Sequence, residues 1–208
     1  MNIPHEPDLR PDHRIMVELI EPRSKVLDLG CGDGTLLAYL IQHKGCHGTG
    51  IEIDEEAIYK CMAQGLSVSH GNIDTGLNDY SDKRFDYVIL SESIQQVLHP
   101  QNVILESCRV GKKVIVGIPN FCHITARVQI FFRGRVPVTR ELPYQWYDTP
   151  NLRFFSLKDF HTFCRLNAIQ ILQQKGIGIH QEVKFFPNLL AHIGIFLLKK
   201  NDAGSKSS

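Results

Sequence analysis

This sequence of 208 residues lacks the signatures of several common catalytic and metal-binding proteins. Its six cysteines include no C-x-x-C pair, so the usual zinc spacing is absent. The ten histidines form no H-E-x-x-H cluster. No G-x-S-x-G elbow occurs, which argues against a serine nucleophile of the α/β-hydrolase kind. We therefore predict no metal site and assign no catalytic residue.

The chain also lacks an excess of charge and a long apolar run. Its formal net charge of +1 predicts no strong attraction to nucleic acid or to an anionic membrane. No apolar run reaches the ~20 residues of a membrane span, and residues 1–14 lack the apolar core of a secretory signal. Cysteines without a pairing pattern are typical of free thiols in the cytosol. We expect a cytoplasmic protein that has no membrane or nucleic-acid partner, and its homo-oligomeric state stays open.

One stretch, V-L-D-L-G-C-G-D-G at residues 26–34, organises the rest of the chain. Its apolar start predicts a short buried strand, and residues 35–43 after the glycines predict a helix. A strand, a glycine turn and a helix open a doubly wound sheet, whose ligands bind at the carboxyl ends of the strands. The spacing is G-x-G-x-G, whereas a dinucleotide fingerprint has G-x-G-x-x-G. This spacing resembles motif I of class I S-adenosylmethionine (SAM)-dependent methyltransferases.

Further alternation of strands and helices predicts a mostly parallel sheet. Residues 12–20, 55–63 and 156–166 predict helices, and a further helix before residue 110 is interrupted at Pro100. The fold class is therefore α/β, with a doubly wound, seven-stranded sheet in one domain over residues 1–200, an insert at 119–155 after strand five, and a frayed tail at 201–208. The seven strands are predicted at residues 26–29, 48–53, 66–70, 85–90, 112–118, 168–174 and 193–198.

The ends of the other strands add candidate ligand contacts. Glu52 ends strand two, where a carboxylate can accept hydrogen bonds from both ribose hydroxyls. Asn72 follows strand three, where methyltransferases commonly have an Asp that binds the adenine amino group; Asn is also a common turn residue. Glu92 is interpreted as solvated or as a helix start. The predicted residues for binding SAM or S-adenosylhomocysteine (SAH) are Asp28, Gly30, Cys31, Gly32, Gly34, Glu52, Ile53, Asn72, Ile73 and Ser91.

Residues 119–155 show no clean period, and arginines alternate there with aromatic residues. Three interpretations stay open for this segment: a lid over the substrate pocket, a docking face for a protein, and an RNA-stacking surface. Tyr, Trp and Arg are enriched at protein interfaces. The candidate partner-binding residues are Arg133, Arg135, Tyr144, Trp146 and Tyr147.

The chain resembles the methionine-biosynthesis MetW family over nearly its whole length. The specific matches are the runs G-I-P-N-F at 117–121, G-R-V-P-V-T at 134–139 and L-P-Y-Q-W-Y-D-T-P-N at 142–151. Asn72, Glu92 and Val136 depart from the family pattern. The resemblance implies a SAM-methyltransferase fold and an accessory role with a MetX-type homoserine O-acyltransferase. An ordinary methyltransferase that acts on a small molecule is the alternative.

Overall fold

A computed structural model describes residues 9–139, 142–179 and 181–201 of the chain. These residues form an eight-stranded sheet with the strand order β3-β2-β1-β4-β5-β8-β6-β7. The first five strands run parallel to their neighbours, and β8 pairs antiparallel with both β5 and β6. The strands are β1 Lys25–Leu29, β2 His47–Glu52, β3 Val68–His70, β4 Phe85–Ser91, β5 Gly111–Pro119, β6 Ile169–Ile177, β7 Glu182–Val183 and β8 Ile193–Lys200.

Helices cover both faces of this sheet. Successive strand residues point to opposite faces, so Leu27 and Leu29 belong to one buried cluster and Val26 to another. The first cluster packs against α4 and α6, and the second against α1 and α2. The helices are α1 Pro11–Leu19, α2 Thr35–Lys44, α3 Glu55–Ala63, α4 Pro100–Val110, α5 Ile124–Arg133, α6 Leu157–Leu166 and α7 Pro187–Leu190.

The predicted fold class is confirmed, with differences in detail. The sheet has eight strands rather than seven because the two-residue β7 pairs with the end of β6. The helix that we predicted to be interrupted at Pro100 is a 3₁₀ turn at Ile94–Gln96 followed by the separate helix α4. Pro100 is the first residue of α4, a position at which the missing backbone N–H costs nothing. The segment 119–155, in which we predicted no regular element, contains the helix α5. Residues 202–208 of the predicted tail lie outside the described residues.

The strand order reverses between β1 and β4, which are adjacent in the sheet. Ligands of open α/β sheets bind at the carboxyl ends of the strands beside such a reversal. The glycine turn after β1 and residues 91–98 after β4 lie at this position. Within the described part of the chain, no helix has the length and apolar character needed to cross a membrane.

Candidate functional site

The turn between β1 and α2 depends on its three glycines. Gly30, Gly32 and Gly34 have φ angles of 73°, 56° and 80°, a left-handed region that L side chains rarely adopt. A Cβ at Gly32 would meet no atom within 4 Å. A Cβ at Gly34 would lie 2.4 Å from Leu66 Cδ1 and 2.8 Å from Cys61 Sγ. Gly32 therefore leaves open space above the turn, whereas Gly34 allows close packing against the end of α3.

Glu52 connects the end of β2 to this turn. Its Oε2 accepts a hydrogen bond from the Gly32 amide at 2.8 Å, and its Oε1 accepts from the amides of Ile53 and Asp54 at 2.7 and 3.0 Å. Two carboxylate oxygens have about four acceptor positions, and these three hydrogen bonds use three of them. Glu52 thus fixes the glycine turn and retains acceptor capacity for a ligand hydroxyl.

A cavity of about 900 Å³ lies at the carboxyl ends of the strands. This volume is within the range of small-molecule sites in proteins. Four further predicted residues, Asp28, Cys31, Gly32 and Gly34, are not among the residues that line it. Burial raises the pKa of the Cys31 thiol far above its usual range. Among the predicted cofactor residues, those that line the cavity are Gly30, Glu52, Ile53, Asn72, Ile73 and Ser91.

Asp28 is a buried acid directly beneath the glycine turn. Its side chain is 2% exposed, and its Oδ1 has no hydrogen-bond partner. Burial, followed by the nearby charge of Glu52, raises the pKa of Asp28 to about 7. An unsatisfied buried acceptor is costly, so Asp28 fits a ligand that supplies a donor or a positive charge. The adenosyl amino acid predicted from the sequence has both.

Asn72 forms a turn at the other end of the cavity. Its Oδ1 accepts a hydrogen bond from the Asp74 amide at 2.9 Å, and Asp74 in turn accepts from the amides of Leu98 and His99. The turn role that we weighed for Asn72 is therefore present in the structure. Because an amide oxygen has two lone pairs, Asn72 can still accept a bond from a ligand.

The cavity also contains a polar cluster that we did not predict. Arg10 Nη2 donates hydrogen bonds to Asp12 Oδ2 at 2.7 Å and to Ser91 Oγ at 3.0 Å. Arg10 Nη1 lies 3.3 Å from Glu92 Oε2. Burial lowers the pKa of His13 to about 4, so its ring is neutral at pH 7 and accepts from Arg10 at 2.8 Å. The cluster adds Arg10, Asp12 and Glu92 to the candidate site residues.

The segment after β5 has one side in the cavity and another side in solvent. Tyr144, with Pro143, Pro150 and Asn151, lines the cavity. Trp146 is 73% exposed, and Tyr147 lies against it with ring centroids 5.6 Å apart. The predicted partner residues Arg133, Arg135, Tyr144, Trp146 and Tyr147 are all exposed.

Helix α5 adds further exposed apolar side chains to this surface. Phe131 is 81% exposed and packs against Phe132, which is also exposed. Gln129 connects α5 to the following segment, because its side chain both donates to and accepts from the backbone of Val138. We call the exposed residues of α5, of 135–138 and of 143–147 the aromatic face. Large exposed apolar patches mark interaction sites.

In the described ranges, no group of three His, Cys, Asp or Glu side chains could hold a metal ion.

The run G-I-P-N-F at 117–121 has a structural role. Asn120 is buried, and its amide donates to the carbonyls of Asn188 and Ala191 at 3.1 and 2.8 Å. It therefore ties the end of β5 to α7.

Comparison with known proteins identifies relatives of this chain. The chain is 31% identical over 190 residues to the "Bifunctional methionine biosynthesis protein MetXA/MetW" of Rhodopirellula baltica, which covers 87% of this chain and 29% of that protein. This chain spans about a third of the length of the curated relatives it matches.

Solved structures share the fold at low sequence identity. A SAM-dependent methyltransferase from Archaeoglobus fulgidus superimposes with a TM-score of 0.67 at 14% identity, over 90% of each chain. One from Thermotoga maritima gives 0.65 at 18% identity, over 91% of this chain and 88% of that one. The family described as "Methionine biosynthesis protein MetW" matches residues 10–198. The chain belongs to the MetW family of methionine biosynthesis proteins.

Proposed function

We propose that this protein is an accessory subunit that binds and activates a MetX-type homoserine O-acyltransferase in the cytoplasm. The observation that supports this most strongly is the relative whose name joins MetXA and MetW in one chain. Fusion keeps two proteins at a high effective concentration, which is useful when they act together. The separate chain described here would need a docking surface instead.

The aromatic face has the composition of such a surface. Interfaces are enriched in Trp, Tyr, Phe and Arg, and a few central residues supply most of the affinity. Trp146, Phe131 and Phe132 are exposed together with Arg133 and Arg135. Bonds between Gln129 and Val138 hold the helix and the following segment in one arrangement, so the face is preorganised for binding.

We further propose that the cavity binds SAM and thereby regulates the complex. The residues fit this ligand: the glycine turn is open, Asp28 has an unsatisfied oxygen, and Glu52 and Asn72 retain acceptor capacity. The cavity and the aromatic face share Tyr144, which is exposed and also lines the cavity. The segment that follows the face is held to the cavity wall, because the carbonyl of Gln95 accepts from the amides of Leu152 and Arg153 at 2.8 and 3.1 Å. A ligand that moves this wall would change the affinity for the partner, and by linkage the reverse also holds.

The docking proposal is tested by titrating a MetX-type acyltransferase into this chain. Trp146→Ala and Arg135→Ala are each expected to weaken binding by about 2 kcal/mol, the loss typical of an interface hot spot. Leu166→Ala is the control, because Leu166 is 75% exposed on α6 and lies outside the aromatic face. Unchanged affinity in both test variants would place docking elsewhere. Equal partner affinity with and without saturating SAM would contradict the regulatory part alone.

A methyltransferase that acts on a small molecule is the second candidate, supported by the fold and by the size of the cavity. Methyl transfer depends mainly on holding the sulfonium and the nucleophile in line, so this candidate does not depend on an assigned acid–base pair. Release of labelled methyl groups to cell metabolites would support this candidate. Binding of SAM without turnover would favour the accessory role.

A further inference from the structure

The charges of this chain are divided between its two halves. Residues 1–106 contain 17 acidic and eight basic side chains, whereas residues 107–208 contain five acidic and 15 basic ones. The two halves therefore have formal net charges of −9 and +10, and the value of +1 for the whole chain is the small difference between them. A marked difference in charge between the halves of a chain points to a charged partner.

The sheet separates the two halves in space. The strands of the first half, β1 to β4, lie together on one side of the sheet, and those of the second half, β5 to β8, lie on the other. Helix α1 is an exception, because its Glu18 forms an ion pair with Lys175 of β6 at 2.8 Å. The two sides of the sheet therefore differ in charge, and such a field orients a charged partner and raises the rate of encounter.

The aromatic face belongs to the positive half and contains no carboxylate. Its charged side chains are Arg127, Arg133 and Arg135, and the sequence has no acidic residue from 107 to 140. Arg127 is used within the fold, because its Nε donates to Cys122 O at 2.6 Å. Among the described residues, no ion pair is formed by Arg133 or Arg135. These two exposed guanidinium groups can therefore attract a partner.

Exposed aliphatic side chains lie on the same face as the arginines. Val128, Ile130 and Val136 are 45%, 52% and 54% exposed. Aromatic rings and guanidinium groups can stack on RNA bases, but aliphatic side chains are stabilised chiefly by burial against another apolar surface. A protein surface with an apolar centre and a polar, acidic rim satisfies both kinds of side chain, and a polar rim is usual at protein interfaces.

We propose that the aromatic face binds an apolar patch bordered by carboxylates on the acyltransferase, and that Arg133 and Arg135 steer the encounter electrostatically. This rests on the docking part of the proposed function. Charges at the rim of an interface change mainly the association rate, whereas most other interface substitutions change mainly the dissociation rate. Replacement of the arginines and replacement of Trp146 should therefore have different kinetic effects.

Surface plasmon resonance with an immobilised MetX-type acyltransferase tests this inference. We expect the association rate constant of the parent chain to fall at least about tenfold between about 0.01 M and about 1 M salt, as the Debye length shortens. The double variant Arg133→Glu, Arg135→Glu should associate at least about tenfold more slowly at low salt, and the corresponding double Gln variant should show a smaller decrease. Trp146→Ala should instead raise mainly the dissociation rate.

The double variant Arg165→Glu, Lys199→Glu is the matched control. It changes the net charge by the same amount in the same half, at two exposed positions outside the aromatic face. It should slow association by less than about threefold.

An association rate that does not depend on salt, or equal slowing in the control and in the Arg133→Glu, Arg135→Glu variant, would overturn the inference. Tighter binding of poly(U) RNA or of phosphatidylglycerol vesicles than of the acyltransferase would also overturn it, because the face would then suit a different class of partner. Failure of the acyltransferase to bind the parent chain at every salt concentration would instead overturn the docking proposal itself.

Discussion

Replacing Glu52 by Gln tests the connection between the glycine turn and the ligand. The carboxylate accepts three backbone hydrogen bonds, from Gly32 on one oxygen and from Ile53 and Asp54 on the other. A Gln amide has one acceptor oxygen, and its nitrogen can only donate. The amide side chain can therefore keep the bonds to Ile53 and Asp54, but it then leaves the half-buried Gly32 amide without its partner.

The size of the effect follows from these bonds. An unsatisfied buried donor costs roughly 1–3 kcal/mol, less where water reaches it as at the half-buried Gly32 amide, and hydrogen bonds to a charged acceptor are stronger than neutral ones by about 1 kcal/mol. We expect Glu52→Gln to lower the free energy of unfolding by roughly 1–3 kcal/mol. Loss of the charge toward the ribose hydroxyls should also weaken SAM binding by about tenfold.

Urea unfolding and isothermal titration with SAM measure the two effects separately. Glu55→Gln is the matched control, because Glu55 is exposed in the first turn of α3, three residues further along the chain. It should change either quantity by less than about 1 kcal/mol. Loss of stability with unchanged SAM affinity would mean that Glu52 only anchors the turn. Unchanged stability would contradict the hydrogen bonds themselves.

Three further predictions concern packing, pH and docking. Gly34→Ala should lower the free energy of unfolding by roughly 2–5 kcal/mol, because the added Cβ strains the backbone and overpacks the site. The control Gly65→Ala has a similar φ but no atom within 4 Å of the added Cβ, so it should lower the free energy of unfolding by only roughly 1–2 kcal/mol. Urea unfolding measures both variants. Because the pKa of Asp28 is about 7 in the folded state, above its ordinary value of 3.8, its ionisation destabilises the fold progressively between about pH 4 and pH 7. The unfolding free energy of Asp28→Asn relative to the parent should therefore increase by roughly 2–4 kcal/mol from pH 4 to pH 8, and a pH-independent difference would contradict this. Phe131→Ala should weaken binding to the acyltransferase in a titration that Leu166→Ala leaves unchanged, since both side chains are exposed but only Phe131 belongs to the aromatic face.

The sequence predicts the first half of the sheet well because each element there has a local signal. The apolar run before Gly30, the glycine turn and the acid at Glu52 fall on β1, the β1–α2 turn and the end of β2. The SxxD pattern at Ser156 and Asp159 forms the capping box of α6, with reciprocal side-chain bonds. Such signals lie within a few residues of the structure that they specify.

Two features were not predicted from the sequence. Helix α5 buries only Ala126 among its residues. Its apolar residues Ile124, Val128 and Phe131 recur at helical spacing, but they are exposed rather than directed at a core. The cluster of Arg10 with Ser91 and Glu92 joins positions about eighty residues apart, and only the sheet topology brings them together.

We propose that this protein acts by activating a MetX-type acyltransferase. The most direct measurement is the rate of O-acylhomoserine formation by that enzyme, alone and with a stoichiometric amount of this chain. We predict a clear increase in rate with the parent chain and a smaller one with Trp146→Ala at the same concentration. An acylation rate that is the same with and without the parent chain would contradict the account.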